Sequence, residues 1–232
     1  MSDRFRINEE ASVAVYKFGI EQTPVIVIDN LLSDLTDILD IASNAQYREQ
    51  SSDFYPGLRA PITTDYIHSI CRRFFEFWKT TFTAPDAKQY ETVLSALSIT
   101  SKPEKQLKPI QMLPHFDTPQ TNQVALVHFL CDEVHGGTGF YRHKSTETER
   151  VTEQNLPLYA NKLKEEAMAL KLHLNKKYIG KEHALFEMIG EVKARPNRLV
   201  IYPSNLLHSG LIKPSVDLNT DPKYGRLTTS SF

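Results

Sequence analysis

The chain has only two cysteines among its 232 residues, no excess of charge of one sign and no long apolar run. Cys71 and Cys131 lie among apolar neighbours, so both are interpreted as buried free thiols that fit a reducing compartment. Lys and Arg number 27 against 28 Asp and Glu, and they are scattered along the chain. This near balance argues against the basic stripe that a nucleic acid partner requires.

No apolar stretch approaches the ~20 uninterrupted residues of a membrane span. Residues 1–10 also contain no apolar signal core. We therefore expect a cytoplasmic protein without a membrane partner. A chain of this length can bury a sizeable core as one domain, and no internal repeat or low-complexity tract divides it. The sequence gives no indication of its oligomeric state.

The first 89 residues mix strand and helix patterns. Residues 12–18 and 24–29 are β-branched and bounded by turn residues, which predicts two short strands. Apolar residues at helical spacing predict helices from about Ser33 to Ala45 and from Thr64 to Phe82. We interpret residues 1–89 as an α/β support region of a single domain.

From residue 90 onward the pattern is mainly one of short strands. They are predicted at about 90–100, 110–117, 123–131, 138–142, 184–193, 198–203, 206–212 and 225–231. Eight such strands favour a mixed, mainly β fold, a jelly roll or double-stranded β-helix spanning 90–232 with the N-terminal helices flanking it. An amphipathic helical insertion at about 152–178 interrupts the series, and we expect it to pack outside the sheets.

Four residues form the most informative pattern: His115 and Asp117 in a His-x-Asp sequence, His208 after Tyr202-Pro-Ser-Asn-Leu-Leu, and Arg226. Two imidazoles and a carboxylate on one side of a metal leave its other side open, which suits non-heme Fe(II). At i and i+2 of an extended strand, His115 and Asp117 point the same way. A His-x-Asp alone is weak evidence, because a strand-end histidine bonded to a carboxylate is common. His208 and Arg226, later in the chain, strengthen the interpretation of the His-x-Asp sequence as part of a metal site.

These segments resemble the 2-oxoglutarate and Fe(II)-dependent dioxygenase superfamily, especially its prolyl-hydroxylase-like branch, over about residues 90–232. Tyr202-Pro-Ser ending in His208 is similar to the family's turn before its distal iron-binding histidine. Gly136-Gly-Thr-Gly-Phe140 is similar to its Gly-Gly turn. The order of the segments along the chain also matches. The resemblance implies that His115, Asp117 and His208 bind Fe(II), and that Arg226 with Thr228 binds the 2-oxoglutarate co-substrate.

The resemblance further implies an oxidation in which 2-oxoglutarate gives succinate and carbon dioxide while a C–H bond is hydroxylated. Asp117 favours hydroxylation, because family members that halogenate carbon have a small residue there. A planar guanidinium can pair with both oxygens of a terminal carboxylate, which suits Arg226 to its implied task. Two features depart from the family pattern: the helical insertion is long, and 17 residues separate His208 from Arg226. Arg198 is therefore the alternative anchor.

Several further residues are candidates for substrate contact. His128, Tyr141 and His143 lie on predicted strands, where packing is the default interpretation. Phe54–Pro61 is an irregular segment that contains Arg59, and it is either a lid over the substrate or an ordinary surface loop.

Three functional hypotheses follow. The first is an Fe(II) and 2-oxoglutarate-dependent hydroxylase acting on a small molecule, amino acid or peptide. The second is a jelly-roll, cupin-like metalloenzyme that does not use 2-oxoglutarate, and the third is a non-catalytic binding module. The identity of the substrate and the position oxidised cannot be read from the sequence, because no readable motif specifies them.

Overall fold

The computed structural model describes residues 4–50, 54–82 and 86–232. Its strands are β1 Ser12–Phe18, β2 Thr23–Asp29, β3 Gly57–Pro61, β4 Ser95–Thr100, β5 Val124–Phe129, β6 Thr138–His143, β7 Phe186–Val192, β8 Arg198–Pro203, β9 His208–Gly210 and β10 Leu227–Ser231. Its α-helices are α1 Thr36–Asn44, α2 Thr64–Thr81, α3 Leu156–Ala169 and α4 Pro214–Asp217. Short 3-10 helices span Glu104–Gln106, Pro109–Met112 and Leu172–Leu174. None of the described helices has both the length and the apolar character needed to cross a membrane.

The strands form two antiparallel sheets. Seven strands pair in the order β1-β2-β8-β5-β10-β4-β3, and three pair in the order β7-β6-β9. Strands β1 to β3, predicted as part of a support region, therefore share one sheet with strands from the second part of the chain. The predicted mixed, mainly β fold is confirmed by these sheets and helices, whereas the double-stranded β-helix topology stays a prediction.

The seven-stranded sheet has two different faces, because successive side chains of a strand point to opposite sides. One, here called the helix face, packs against α1 and α2, and its apolar residues include Ile28, Leu97, Leu126, Ile201 and Leu227. The other, here called the inner face, packs with Phe140 and Val192 of the three-stranded sheet. Its apolar residues include Val27, Ala125, Phe129, Val200 and Tyr202. The inner face is therefore the side on which the two sheets meet.

The helices cover the outside of this arrangement. Helix α2 buries the predicted apolar stripe, including Ile67, Phe74 and Trp78, against the helix face. Helix α3 packs on the outer side of the three-stranded sheet, where Tyr159 is clustered with Tyr141 and Phe186. The prediction that the helical insertion packs outside the sheets is therefore confirmed, although its α-helix is shorter than 152–178.

Two local predictions are wrong. The strand predicted at 110–117 is replaced by the 3-10 helix Pro109–Met112, because Pro109 has no N–H for a sheet and the Gln111 side chain accepts a bond from the Lys108 N–H at 2.8 Å. The segment at 54–61, predicted to be irregular, contains β3, which pairs with β4 from Gly57 to Pro61 at the edge of the sheet. The strand forms through pairing with β4, a distant part of the chain, and its Gly and Pro residues therefore gave no local indication of it.

Candidate metal centre

The His115 segment is held beside β9 by its backbone. His115 N–H donates to the His208 carbonyl at 2.9 Å, and His208 N–H donates to the His115 carbonyl at 2.8 Å. Asp117 N–H donates to the Ser204 carbonyl at 2.8 Å. An isolated bridge rather than a strand therefore brings the His-x-Asp sequence to the distal histidine.

The side chains of His115, Asp117 and His208 meet at one point, and they are called the triad below. One potential ligand atom from each lies within 4.8 Å of the others. Nε2 of His115 is 4.0 Å from Oδ1 of Asp117, and Nε2 of His208 is 3.8 Å from Oδ2 of the same carboxylate. The separations leave room for an ion between the three groups. The donor set of two imidazoles and one carboxylate matches a non-heme Fe(II) site and also a catalytic Zn(II) site.

Local contacts orient His208 for such a role. Its Nδ1 is 2.8 Å from the Leu206 carbonyl. A carbonyl only accepts, so Nδ1 carries the proton and the lone pair of Nε2 faces Asp117. Tyr202 packs against the imidazole, with ring centroids 4.7 Å apart, and Phe140 packs against Tyr202, with centroids 5.1 Å apart. Aromatic packing thus supports one side of the imidazole.

Burial controls the protonation of the triad. It lowers the pKa of His208 to about 4, which keeps that imidazole neutral and available as a ligand. Desolvation, together with the neighbouring His208, also lowers the pKa of His115, although 47% of its side chain is exposed. Burial raises the pKa of Asp117 to about 6, against the opposing influence of His115 and Arg59.

Asp117 also has an unsatisfied oxygen. Its Oδ2 is buried and accepts no hydrogen bond from the residues that the structure describes. A buried carboxylate without a donor is costly unless a cation is beside it. The position of that oxygen, facing Nε2 of His208, therefore fits a metal ion.

Arg226 directly precedes β10 of the seven-stranded sheet, and its side chain extends toward the same region. It is 4% exposed, and its guanidinium donates from Nε to the Gly136 carbonyl at 2.6 Å and from Nη2 to the Gly137 carbonyl at 3.1 Å. A side chain added at Gly210 would place its Cβ 3.6 Å from Nη2. Gly210 lies two residues beyond His208 on β9, about 7 Å along the strand. The guanidinium and the triad are thus neighbours on one side of β9.

The Gly-Gly turn requires glycine at both positions, because other parts of the backbone approach it closely. A Cβ on Gly136 would lie 1.5 Å from the Leu211 carbonyl oxygen, and one on Gly137 would lie 2.1 Å from the Val192 carbonyl oxygen. No side chain fits at either position. The turn is therefore a place of close backbone approach whose carbonyls receive Arg226.

Asp217 anchors the 17-residue connection that separates His208 from Arg226, and sequence reasoning missed it. The fully buried Asp217 lies in α4. Its carboxylate is 2.8 Å from Nδ1 of His135, and it accepts from the backbone N–H of Lys213 at 2.7 Å and of Gly136 at 3.2 Å. The connection thereby returns to the Gly-Gly turn before β10 begins. No pattern in the sequence signals this carboxylate, because all of its partners are distant or main-chain groups.

Thr228 shares the inner face with Arg226. Leu227 packs on the helix face and Thr229 bonds Tyr66 there, so the alternate residue Thr228 points inward. Thr228 lies opposite Ser98 of β4. Thr228 is buried and lies two residues from Arg226, and its joint role with Arg226 stays a prediction.

The alternative anchor, Arg198, is engaged elsewhere. It lies at the opposite end of β8 from Tyr202 and forms a two-pronged ion pair with Asp29, with Nε to Oδ1 at 2.6 Å and Nη2 to Oδ2 at 2.8 Å. The side-chain hydrogen bond to Asp29 raises the pKa of Arg198. Arg198 is therefore committed to an ion pair with Asp29 at the far end of β8.

Three other sequence candidates point away from the triad. His128 lies on the helix face, with Nδ1 2.8 Å from the Tyr66 hydroxyl. Tyr141 donates from its hydroxyl to the Gly180 carbonyl at 3.1 Å on the outer side of the small sheet. His143 lies on the same outer side, 3.1 Å from the Glu166 carboxylate. All three have the packing roles that were the default interpretation.

A cavity of about 400 Å³ lies beside the 3-10 helix Pro109–Met112, whose last residue forms part of its wall. Its walls include Met112, Leu113, Leu172, Tyr178, Ile179 and Glu182. Leu113 is two residues before His115, and the Tyr178 hydroxyl donates to the Lys102 carbonyl at 2.6 Å. The volume is within the range of small-molecule sites.

Comparison with known proteins gives a family and distant structural similarities. Residues 9–232 match DUF6445, described as a family of unknown function. No curated protein shows significant sequence similarity to the chain.

Among solved structures, the non-heme alpha-ketoglutarate-dependent epimerase SnoN from nogalamycin biosynthesis is 11% identical, with a TM-score of 0.42, over 91% of this chain and 77% of its own. SnoN in complex with Fe3+, alpha-ketoglutarate and nogalamycin RO is 10% identical, with a TM-score of 0.44, over 91% and 78%. An N-substituted L-amino acid dioxygenase from Burkholderia ambifaria AMMD is 13% identical, with a TM-score of 0.43, over 95% and 93%. Similarities this low support no conclusion about function.

Proposed function

Because the chain belongs to the DUF6445 family, whose function is unknown, its activity has to be inferred from its own residues, and we propose that it is an Fe(II)- and 2-oxoglutarate-dependent oxygenase. The proposal includes a single domain over residues 1–232, with a support region at 1–89 and a jelly-roll core at 90–232; the sheet that strands from both parts share supports the single domain. Its substrate is a small molecule, amino acid or peptide.

The observation that carries the proposal is the neighbourhood of the triad and Arg226. A metal site alone would need only His115, Asp117 and His208. Here the buried guanidinium of Arg226 lies beside Gly210, two residues from His208 on the same strand. A cation at that separation suits a ligand that binds the metal at one end and carries a carboxylate at the other.

In this proposal each residue has a distinct task. His115, Asp117 and His208 would hold Fe(II), while Arg226, with the Thr228 hydroxyl, would hold the far carboxylate of 2-oxoglutarate. Bound together, iron and 2-oxoglutarate supply the oxidising chemistry, in which 2-oxoglutarate and O2 give succinate, carbon dioxide and a hydroxylated substrate. The Leu206 carbonyl keeps the His208 proton on Nδ1, so Nε2 remains a ligand. The Asp117 carboxylate occupies the position that favours hydroxylation.

The hydrogen bonds of Arg226 favour one alternative. Its Nε and Nη2 already donate to the carbonyls of the Gly-Gly turn. If those bonds are its whole role, Arg226 is structural, and the chain is a metalloenzyme that does not use 2-oxoglutarate. Within the described chain, Nη1 has no assigned hydrogen bond, so a planar guanidinium can serve both the turn and a carboxylate.

An anaerobic titration separates these functions. Metal-free protein is given Fe(II) and then 2-oxoglutarate, while the visible charge-transfer band of an iron-chelated 2-oxoacid is followed. We expect the band in the wild type, its loss in His208→Ala, and an increase of about 10- to 100-fold in the 2-oxoglutarate Kd in Arg226→Ala. Arg198→Ala is the matched control, because it removes an arginine paired with Asp29, and it should leave the Kd unchanged.

Other results of the same titration would favour the alternative functions. Iron binding without a band would favour the 2-oxoglutarate-independent metalloenzyme. Absence of iron binding in the wild type would overturn both enzyme functions in favour of a binding module. An unchanged Kd in Arg226→Ala would show that Arg226 serves only the Gly-Gly turn.

A further inference from the structure

The two edge strands of the seven-stranded sheet, β1 and β3, are protected to different degrees. An edge strand presents unpaired N–H and C=O groups, and proteins usually block it with proline, charge, irregular pairing or a covering segment. β3 contains Gly57 and Pro61, and the backbone of Arg48 pairs with its outer side. β1 has one charged residue, Lys17, but no proline or glycine, and its seven residues pair with β2 without a register shift. In the described part of the chain, β1 is therefore the more open edge.

β1 is also exposed on both of its faces. Val13 and Val15 pair with residues of β2 that point to the helix face, yet these valines are 43% and 44% exposed. Tyr16 pairs with a residue that points to the inner face, and it is 50% exposed. Every residue of the strand from Ser12 to Lys17 is exposed. An apolar strand that the rest of the fold leaves uncovered marks an interaction surface.

A second copy of β1 fits this edge by a two-fold axis. When a strand pairs antiparallel with its own copy, one residue faces itself, and its neighbours on either side face each other. Only an axis at Val15 allows all seven residues of Ser12–Phe18 to pair. Such a ladder contains about six to eight hydrogen bonds between the two chains, close to the roughly 10 of a typical protein interface.

The inner-face side chains of β1 are complementary in shape to themselves in this register. Tyr16 and Phe18 stack on each other, with ring centroids 6.1 Å apart, so they form one bulky block. The other two residues on this side, Ser12 and Ala14, are small. The axis at Val15 places Tyr16 opposite Ala14 of the second copy, and Phe18 opposite Ser12. Each bulky block therefore faces a small pair.

Charge favours the same register. Lys17 is the only charged residue of β1. In this pairing each Lys17 faces Val13 of the other copy, so the two lysines lie about 13 Å apart along the ladder. That separation exceeds the Debye length of about 8 Å at physiological ionic strength, so their repulsion is small. The strand thus supplies its own complement in shape and charge, which favours a second copy over an unrelated strand.

We infer that β1 is an interface between two copies of this chain, which pair antiparallel about a two-fold axis at Val15 and join their seven-stranded sheets into one. This inference goes beyond the proposed function and is independent of it, because no residue of β1 belongs to the triad or to the proposed co-substrate site.

Sedimentation equilibrium over a range of micromolar protein concentrations tests the interface. We expect the wild type to have the mass of two chains. Val15→Lys and Val15→Glu each place like charges opposite each other at the axis, so each should raise the dimer Kd at least about 10-fold. An equal mixture of the two variants should restore the dimer, because lysine then faces glutamate. Val93→Lys is the matched control, since Val93 is 73% exposed and precedes β4, far from β1 in the sheet order, and it should leave the Kd unchanged.

Cysteine cross-linking tests the register. Residues that face each other in an antiparallel ladder have Cα atoms about 4.5 to 5.5 Å apart, a distance that a disulfide can span. Val15→Cys should therefore give a disulfide-linked dimer on oxidation. Val13→Cys is the control, because the two copies of residue 13 would lie about 13 Å apart along the ladder. Cys71 and Cys131 are buried and should not cross-link.

Three results would overturn the inference. A wild type that stays monomeric throughout the micromolar range would leave a strand of another protein as the partner of this edge. A dimer that persists in both Val15→Lys and Val15→Glu would place the interface on another surface. Cross-linking of Val13→Cys but not of Val15→Cys would reject the axis at Val15.

Discussion

The two faces of the seven-stranded sheet each bury histidine, with opposite results. On the helix face, His128 has a partner at both ring nitrogens: the Tyr66 hydroxyl at 2.8 Å and Oδ1 of Asn197 at 3.2 Å. On the side where the sheets meet, Nε2 of His208 points toward Asp117, whose Oδ2 accepts no hydrogen bond from the described residues. Similar burial therefore produces a completed network on one face and an incomplete one on the other.

The completed network extends further. The Tyr66 hydroxyl is also 3.0 Å from Oγ1 of Thr229, and Asn197 exchanges hydrogen bonds with the backbone of Leu32 at 2.8 and 2.9 Å. Each polar group has its partner inside the protein, so His128 contributes to stability. A buried polar group that the protein leaves incomplete points instead to a ligand. That contrast predicts opposite effects for the two histidines.

The largest expected effect is on metal binding. His208→Ala removes one of three ligands, and we expect Fe(II) affinity to fall at least about 100-fold, since even outer-shell changes cost 10- to 100-fold. Metal titration under anaerobic conditions measures it. The exposed His173→Ala is the matched control and should bind metal like the wild type. Retained affinity in His208→Ala would contradict the assignment of the triad.

His128→Ala should have the reverse profile. It leaves the Tyr66 hydroxyl and the Asn197 oxygen without their partner and creates a small cavity, so we expect a loss of about 3 kcal/mol in the free energy of unfolding. Denaturant unfolding of metal-free protein measures this loss. Fe(II) affinity, measured on the folded variant, should stay within about 3-fold of the wild type. A large loss of metal affinity with unchanged stability would reverse the comparison.

The pH dependence of stability sharpens the same contrast. Burial lowers the pKa of His128 to about 4, whereas an unfolded histidine titrates near 6.5. Between these values the unfolded chain binds more protons, so the contribution of His128 is complete above about pH 6.5 and is lost as pH falls to 4. We expect a loss of about 2 to 3 kcal/mol from this residue. The free energies of unfolding of the wild type and His128→Gln should differ at pH 7 and become nearly equal at pH 4.5. A constant difference would show that His128 does not titrate as described.

The smallest predicted effect concerns Asp217, a positioning residue that acts through the Gly-Gly turn and Arg226. Asp217→Asn keeps the shape but weakens the bonds to Gly136 and Lys213, so we expect the 2-oxoglutarate Kd to rise about 3- to 10-fold. Fe(II) affinity should not change, which separates this role from direct ligation. Asp221→Asn is the control, because Asp221 lies in the same connection but is exposed and bonds locally to Lys223 N–H at 2.9 Å. A drop in Fe(II) affinity in Asp217→Asn would argue for a direct effect on the triad.

Local patterns predicted much of the fold. Three patterns of neighbouring residues were sufficient to predict their elements: the apolar stripe of α2, the β-branched runs of β1 and β2, and the amphipathic repeat of α3. The predictions that were wrong depend on distant partners. Residues 110–117 have strand-like composition, but Pro109 and Gln111 turn the backbone. β3 contains Gly57 and Pro61 but is held by β4.

The candidate site divides in the same way. His115, Asp117, His208, Arg226 and Thr228 were identified from residue type, order and resemblance, and the structure brings the three proposed ligands within one ion's reach. The role of Asp217 and the packing of Tyr202 on His208 were not specified, because each depends on groups far away in the chain.

The sequence by itself determined which chemical groups are available: two histidines and one aspartate in metal-binding order, an arginine near the end of the chain and glycines at a tight turn. Only the tertiary structure decided which of them meet. Hydrogen bonding between the His115 and His208 backbones, the Asp217 anchor and the alternation of side chains along β10 set the distances. Metal and carboxylate binding depend on separations of a few ångströms, whereas the sequence specifies only the spacing along the chain.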